Sequence, residues 1–198
     1  MPQVSAILTA AGESTRMGRL KPLLSWGGLK LVEYQVASLV AGGATEVIVV
    51  LGHRYDEVVP HIRGPGVGYV VNPRYSDGRT MSIKAGLARI SPEAGAIVLL
   101  GVDQPRPPAL VAAVIAAHLE TGAPITSPRH EGRGGHPIAF SSALRHELAA
   151  ISEEGRGLRE LFDAHRDQVN EVEIDDSIVR LDLNTPEDYE EARTLYDA

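Results

Sequence analysis

The chain has 198 residues, 26 acidic against 19 basic side chains, a formal net charge of -7 and no cysteine. The missing thiols exclude disulfides, thiolate nucleophiles and cysteine-bound zinc or iron–sulfur sites. The acidic total argues against binding to nucleic acid backbones or anionic membranes, which requires clustered Lys and Arg. Hydrophobic residues make up 43%, enough for the core of one domain of ordinary size, expected to span residues 1–198. The longest apolar runs, Val47–Leu51 and Ala96–Leu100, are too short to cross a bilayer. No basic stretch leads into an apolar one at the N-terminus, so no signal peptide is expected and the cytoplasm is the expected compartment.

Short β-branched runs alternate with helical patterns. Strands are predicted at Val4–Thr9, Glu46–Leu51, Gly68–Val71 and Gly95–Leu100, with shorter ones near Pro124–Ser127 and Glu171–Ile174. Near-continuous apolarity marks strands covered on both faces, hence a mostly parallel sheet. Val32, Val36, Leu39 and Val40 form a helical stripe that stops at Gly42-Gly43. Leu110, Val111, Val114, Ile115, His118 and Leu119 form a second stripe, and Leu158, Leu161, Phe162 and His165 a third. Thr185-Pro186-Glu187-Asp188 opens a last helix with a capping hydroxyl, a first-turn proline and two acids. The alternation predicts an α/β fold, a three-layer α/β/α sandwich around a doubly wound sheet. Trp26, beside Gly27-Gly28, is read as part of a turn, and His118 and His165 as partly buried structural residues.

The first predicted strand runs directly into Thr9-Ala10-Ala11-Gly12-Glu13-Ser14-Thr15-Arg16-Met17-Gly18-Arg19-Leu20-Lys21-Pro22. Ligands of such sheets sit at the carboxyl ends of strands. Small residues there let backbone N–H groups approach an anion, and Arg16, Arg19 and Lys21 add charge for phosphates. Neither a Walker A loop nor a Gly-x-Gly-x-x-Gly dinucleotide fingerprint is present. A flexible loop with solvated cations is the bland alternative. Its place after the first strand favours the phosphate site.

The spacing Ala10-Ala11-Gly12-x-Ser14-x-Arg16-Met17-Gly18-x-x-Lys21-x-Leu23-Leu24 resembles the signature loop of the MobA-like NTP transferases. Thr9 departs mildly from the leucine frequent in that family. Further segments extend the resemblance along nearly the whole chain: Asn72-Pro73 through Ser82 to Gly86-Leu87, Asp103-Gln104-Pro105, Gly135-His136-Pro137, and Asp182-x-Asn184-Thr185-Pro186-Glu187-Asp188. It implies a Rossmann-like fold of the nucleotide-diphospho-sugar-transferase type. Within the family, Ala10-Ala11-Gly12 is most similar to the cytidylyltransferases of molybdenum cofactor maturation, whose guanylyl counterparts usually carry a second glycine.

The resemblance implies transfer of CMP from CTP to the terminal phosphate of molybdopterin, with Mg²⁺ and release of pyrophosphate. It gives catalytic roles to Lys21, Arg16 and Asp103, and nucleotide contacts to Thr9, Ala10, Ala11, Gly12, Asn72 and Ser82 besides. The acceptor would lie beside Gly135 and His136, and a molybdenum enzyme would receive the product. Asp103, three residues past an apolar strand, suits Mg²⁺, which needs one or two protein oxygens. Asp182 is taken as the second metal ligand, with Asn184 the alternative, since this stretch is also a good helix start. Ser82 is equally an ordinary first-turn hydroxyl, and Arg79 is left between phosphates and nearby Asp77. His130 and His136 flank a Gly-rich stretch, but loop histidines outweigh a zinc pair, and Ser14 and Ser25 have no spaced His and Asp for a triad. The rivals are the same chemistry with GTP or onto a sugar or alcohol phosphate, a molybdenum-enzyme accessory protein without catalysis, and a small oxidoreductase.

Overall fold

The computed structural model describes residues 3–196 and 198. Its frame is one eight-stranded mixed sheet. The strands are β1 (Val4–Ala10), β4 (Glu46–Leu51), β5 (Val67–Val71), β6 (Ala96–Gly101), β7 (Ile125–His130), β8 (Arg133–Gly134), β9 (Ile138–Ser141) and β10 (Val169–Glu173). The order is β10-β7-β9-β6-β1-β4-β5, with β8 hooked onto β7. Every pairing along this order is parallel except those of β9, which runs against both neighbours. A two-stranded hairpin, β2 (Ser25–Trp26) with β3 (Leu29–Lys30), stands apart from the sheet.

Helices cover both faces, which is why the central strands are apolar at nearly every position. Alternation within each strand divides the core. Val4, Ala6, Leu8 and Ala10 of β1 join Val47, Val49 and Leu51 of β4 on one face, and Ile7, Ile48 and Val50 lie on the other. The first face is covered by α1 (Leu31–Ala41), α4 (Pro108–Thr121) and α7 (Pro186–Tyr196). The second is covered by α3 (Arg79–Leu87), α5 (Arg145–Ala150) and α6 (Leu158–Ala164), and a single turn, α2 (Tyr55–Val58), links β4 to β5. Close helix–sheet packing on the second face requires Gly86, where a Cβ would collide with Ile7 of β1. Among the described residues, no helix is long and apolar enough to cross a membrane.

Most predicted elements are present within a few residues. The run near Pro124–Ser127 becomes Ile125–His130, and that near Glu171–Ile174 becomes Val169–Glu173. Two readings change. Trp26 is a hairpin residue rather than a bare turn, fully packed in the first core with its ring edge-on to Tyr34. Strand β9 and helix α5 follow the Gly135 segment unannounced: Ile138-Ala139-Phe140 is too short a run to compete with its Gly- and Ser-rich flanks.

Candidate functional site

A cleft of about 300 Å³ opens at the carboxyl ends of β1 and β6, where ligands of open α/β sheets bind. The loop after β1 makes one wall. Met17 and Leu20 bury their side chains and pin it to the body. Ser14 holds a left-handed conformation (φ 58°), its carbonyl accepts from the N–H groups of Met17 and Gly18 (3.0 and 3.1 Å), and its hydroxyl accepts from Lys21 N–H at 3.1 Å. A non-glycine residue at positive φ is strained, a feature that concentrates at ligand clamps. Thr9, Ala10, Ala11, Gly12, Ser14, Thr15, Arg16 and Lys21 all line the cleft.

The opposite wall joins the turn after β6 to the start of α7. Thr185 and Asp188 cap α7 reciprocally: Asp188 N–H donates to Thr185 Oγ1 at 3.2 Å, and Thr185 N–H to Asp188 Oδ2 at 2.9 Å. The same carboxylate accepts from Asn184 N–H at 3.2 Å, so the predicted helix start also fixes Asn184. Asp103, in the turn after β6, is tied to this segment, its carbonyl accepting from Leu183 N–H at 2.8 Å. Between the walls, Lys21 Nζ donates to Asp103 Oδ2 at 2.8 Å and to Asn184 Oδ1 at 3.1 Å. Arg16 also reaches Asn184 Oδ1, at 3.4 Å.

The balance of charge here opposes that of the whole protein. Arg16, Lys21 and Arg79 line the cleft against one carboxylate, Asp103. Asp77, which sequence alone left as a partner for Arg79, pairs with Arg74 at 2.8 Å instead. Arg79 has no ion pair among the described residues. A cleft two charges positive inside a protein of net charge -7 has the electrostatics that suit an anion.

Not every predicted residue faces the cleft. Ser82 does, but Asn72 is buried behind it, donating to Ser82 Oγ at 3.1 Å and accepting from Arg74 N–H at 2.9 Å. Asp182 is turned from Asp103; its Oδ1 accepts from Gln104 Nε2 at 2.8 Å. Gly135 packs where a Cβ would collide with the Val179 carbonyl. His136 lines a small chamber of about 30 Å³ that shares Thr9 and Arg79 with the cleft. Burial, together with Arg106 and Arg79, pushes its imidazolium down to about 4, so the ring is neutral at pH 7. His130 is held by the Ile174 carbonyl at 2.9 Å rather than joined to His136. No three His, Asp or Glu side chains cluster around a metal position among the described residues.

Sequence reasoning missed the buried frame beneath this site. Gln35 of α1 donates to the carbonyls of Gly101 (3.0 Å) and Gln104 (2.6 Å) and accepts from Arg106 N–H at 3.2 Å. Arg106 is fully buried and donates to four backbone carbonyls: those of Pro105, His136, Val179 and Leu181, at 2.8–3.0 Å. Desolvation pushes its guanidinium down to about 10, still cationic at neutral pH, with Asp182 opposing the fall. Its place between prolines, Pro105-Arg106-Pro107-Pro108, was the available signal: such a backbone can hold a long side chain in one course.

The sequence profile of the MobA-like NTP transferase domain matches residues 6–169. The molybdenum cofactor cytidylyltransferase of Escherichia coli K12 is 27% identical, over 99% of this chain and 98% of its own. Nicotine blue oxidoreductase of Paenarthrobacter nicotinovorans is 30% identical, over 94% of this chain and 95% of its own. The crystal structure of Rv0371c from Mycobacterium tuberculosis superposes with a TM-score of 0.84 at 29% identity, covering 100% of this chain and 98% of that one. A manganese complex of Rv0371c superposes at 0.79 with 28% identity, covering 96% and 97%.

Proposed function

The chain belongs to the MobA-like NTP transferase family and is a nucleotidyltransferase, and from that premise we propose that it transfers CMP from CTP to the terminal phosphate of a molybdopterin-type cofactor. An acceptor phosphate oxygen attacks the α-phosphorus of CTP, the bond from that phosphorus to the β-bridging oxygen breaks, and pyrophosphate leaves. The acceptor oxygen is already anionic, so no general base is needed. Catalysis then consists of alignment and charge neutralisation.

The observation that carries this reading is the Lys21 ammonium, held between Asp103 and Asn184 at the floor of a cation-lined cleft. With nucleotide bound, Lys21 and Arg16 neutralise the triphosphate, and backbone groups of Thr9, Ala10, Ala11 and Gly12 with Ser82 hold the base and its phosphates. Asn72 acts through Ser82. Gly135 and His136 face the acceptor side, and a molybdenum enzyme would take the product.

Two hard oxygens converging on one cation is the donor set that suits a divalent ion, with the ammonium as its stand-in. Asp103 and Asn184 would hold Mg²⁺, with Asp182 occupied by Gln104. Bound there, the ion would offset charge building on the α-phosphate and the leaving group.

Cytosine is favoured by Ala11, whose carbonyl accepts from His53 N–H at 3.0 Å and whose Cβ narrows the cleft where a glycine would leave room for a purine. The test is pyrophosphate release from CTP or GTP with Mg²⁺ and molybdenum cofactor. A kcat/KM at least tenfold higher with CTP is expected. Equal or faster turnover of GTP overturns the base assignment. Release with neither nucleotide overturns molybdenum cofactor as the acceptor and leaves the sugar and alcohol phosphates.

A further inference from the structure

Gln104 directly follows Asp103, yet its side chain touches none of the cleft's cations. Each end of its amide meets a group with a single role. Oε1 accepts from Gly101 N–H at 3.1 Å, and a backbone N–H can only donate. Nε2 donates to Asp182 Oδ1 at 2.8 Å, and a carboxylate oxygen accepts. Turning the amide round would set its carbonyl against the carboxylate and its NH₂ against the N–H. The orientation is therefore determined without reference to any third group.

The amide nitrogen has a second hydrogen, and His136 Nδ1 lies 3.0 Å from it. A ring nitrogen that accepts is bare, and a neutral imidazole with bare Nδ1 carries its proton on Nε2. Nε2 has no partner among the described residues. No fully enclosed side-chain nitrogen or oxygen among them lacks one, so this Nε2 is not wholly enclosed. The ring lines the inner chamber together with Thr9 and Arg79, beside Leu158 and Ile83.

We propose that Gln104 is a positioning residue that fixes His136 as the Nε2–H tautomer, so that the ring donates a hydrogen bond to an oxygen of the phosphate-bearing acceptor. This rests on the transferase reading for the identity of the ligand, but not for the tautomer. The opposite tautomer would aim a lone pair at the same oxygen, turning attraction into repulsion. Asp182 thereby serves the acceptor side at one remove, by holding Gln104.

The experiment has two arms. In the first, ¹⁵N-histidine-labelled protein without ligand is examined by long-range ¹H–¹⁵N correlation, with His136 assigned by its loss in His136→Gln. The wild type should show a protonated Nε2 and a bare Nδ1, and Gln104→Met, similar in shape but lacking the fixed donor, should shift both nitrogens towards the average of the two tautomers. In the second, steady-state kinetics with CTP and molybdenum cofactor should show the acceptor KM of Gln104→Met raised about tenfold, with the CTP KM within twofold of wild type. A wild-type ring protonated on Nδ1 overturns the proposal, as does an unchanged tautomer in the variant or a parallel rise of both KM values. Should the wild type fail to turn over this pair, the functional reading falls, and the first arm still decides the tautomer.

Discussion

Replacing Lys21 by methionine should weaken catalysis and tighten metal binding at once, a pairing that few other substitutions would produce. The ammonium sits 2.8 Å from Asp103 Oδ2, with side chains 13% and 22% exposed. At an effective dielectric of about 20, two unit charges at that distance attract by roughly 6 kcal/mol before desolvation. Desolvation and side-chain ordering at a half-buried site consume most of this, leaving about 1–2 kcal/mol. A divalent ion approaching Asp103 and Asn184 must displace that ammonium, so its affinity is reduced by the same amount. Lys21→Met retains most of the stem but removes the competitor, so Mn²⁺ should bind the nucleotide-free protein about 5–30-fold more tightly. Without the ammonium the triphosphate loses a neutralising charge in the transition state, a loss of roughly 3 kcal/mol, and kcat/KM for CTP should fall about a hundredfold or more. Paramagnetic titration of free Mn²⁺ and initial rates of pyrophosphate release measure the two effects. Equal or weaker Mn²⁺ binding would show that lysine and metal do not share these oxygens. Unchanged kcat/KM would reduce Lys21 to a surface partner of Asp103.

Arg106→Met should strip the donors from four backbone carbonyls, two of them in fully buried bonds, and lower stability by about 3–5 kcal/mol, with a fall in Tm of roughly 10 °C, read by urea and thermal unfolding; a loss below about 1 kcal/mol would contradict its role as the anchor. Gly135→Ala should cost about 2 kcal/mol or more, because its Cβ meets the Val179 backbone rather than a movable side chain. A variant of wild-type stability with impaired turnover would instead make Gly135 an acceptor contact alone. His136 predicts a pH dependence. Its folded imidazole protonates near 4 against 6.5 in the unfolded chain, so its contribution is whole above 6.5 and is lost as pH falls through that window. The loss reaches at most roughly 3 kcal/mol, and His136→Gln should flatten that part of the slope in urea titrations from pH 7 to 4.5; parallel slopes would refute it.

The sheet was legible because its strands are buried on both faces, and covered strands announce themselves by runs such as Val47–Leu51 and Ala96–Leu100. Strand β9 was not: its few apolar residues acquire meaning only from β6 and β7 on either side. The loop residues from Thr9 to Lys21 could be read from spacing, since one contiguous segment makes the wall. Tertiary relations escaped. Asp182 and Asn184 are two positions apart and chemically alike as oxygen donors, yet one turns to Gln104 and the other to Lys21. The Thr185–Asp188 cap and the burial of Leu183 decide between them, and neither is visible without the fold. Arg79 likewise waited on the pairing of Asp77 with Arg74.

Strand β9 runs against its neighbours, and this has a consequence for how the cleft can diversify. A parallel strand delivers residues to the ligand edge as the chain leaves the sheet; β9 delivers Gly135 and His136 there as the chain enters it. The hairpin just upstream, Glu131 to Gly134, is exposed, and its strand β8 pairs with β7. Its length and composition can change without disturbing the β1 loop, the proposed nucleotide cradle. The β1 loop and the Gly135–His136 pair are thus more than a hundred residues apart in the chain, yet Thr9 and Arg79 line both the cleft and the chamber beside His136. A lineage can exchange one substrate while keeping the other, and grafting the 129–136 segment between relatives should carry acceptor preference with it and leave the choice of base behind.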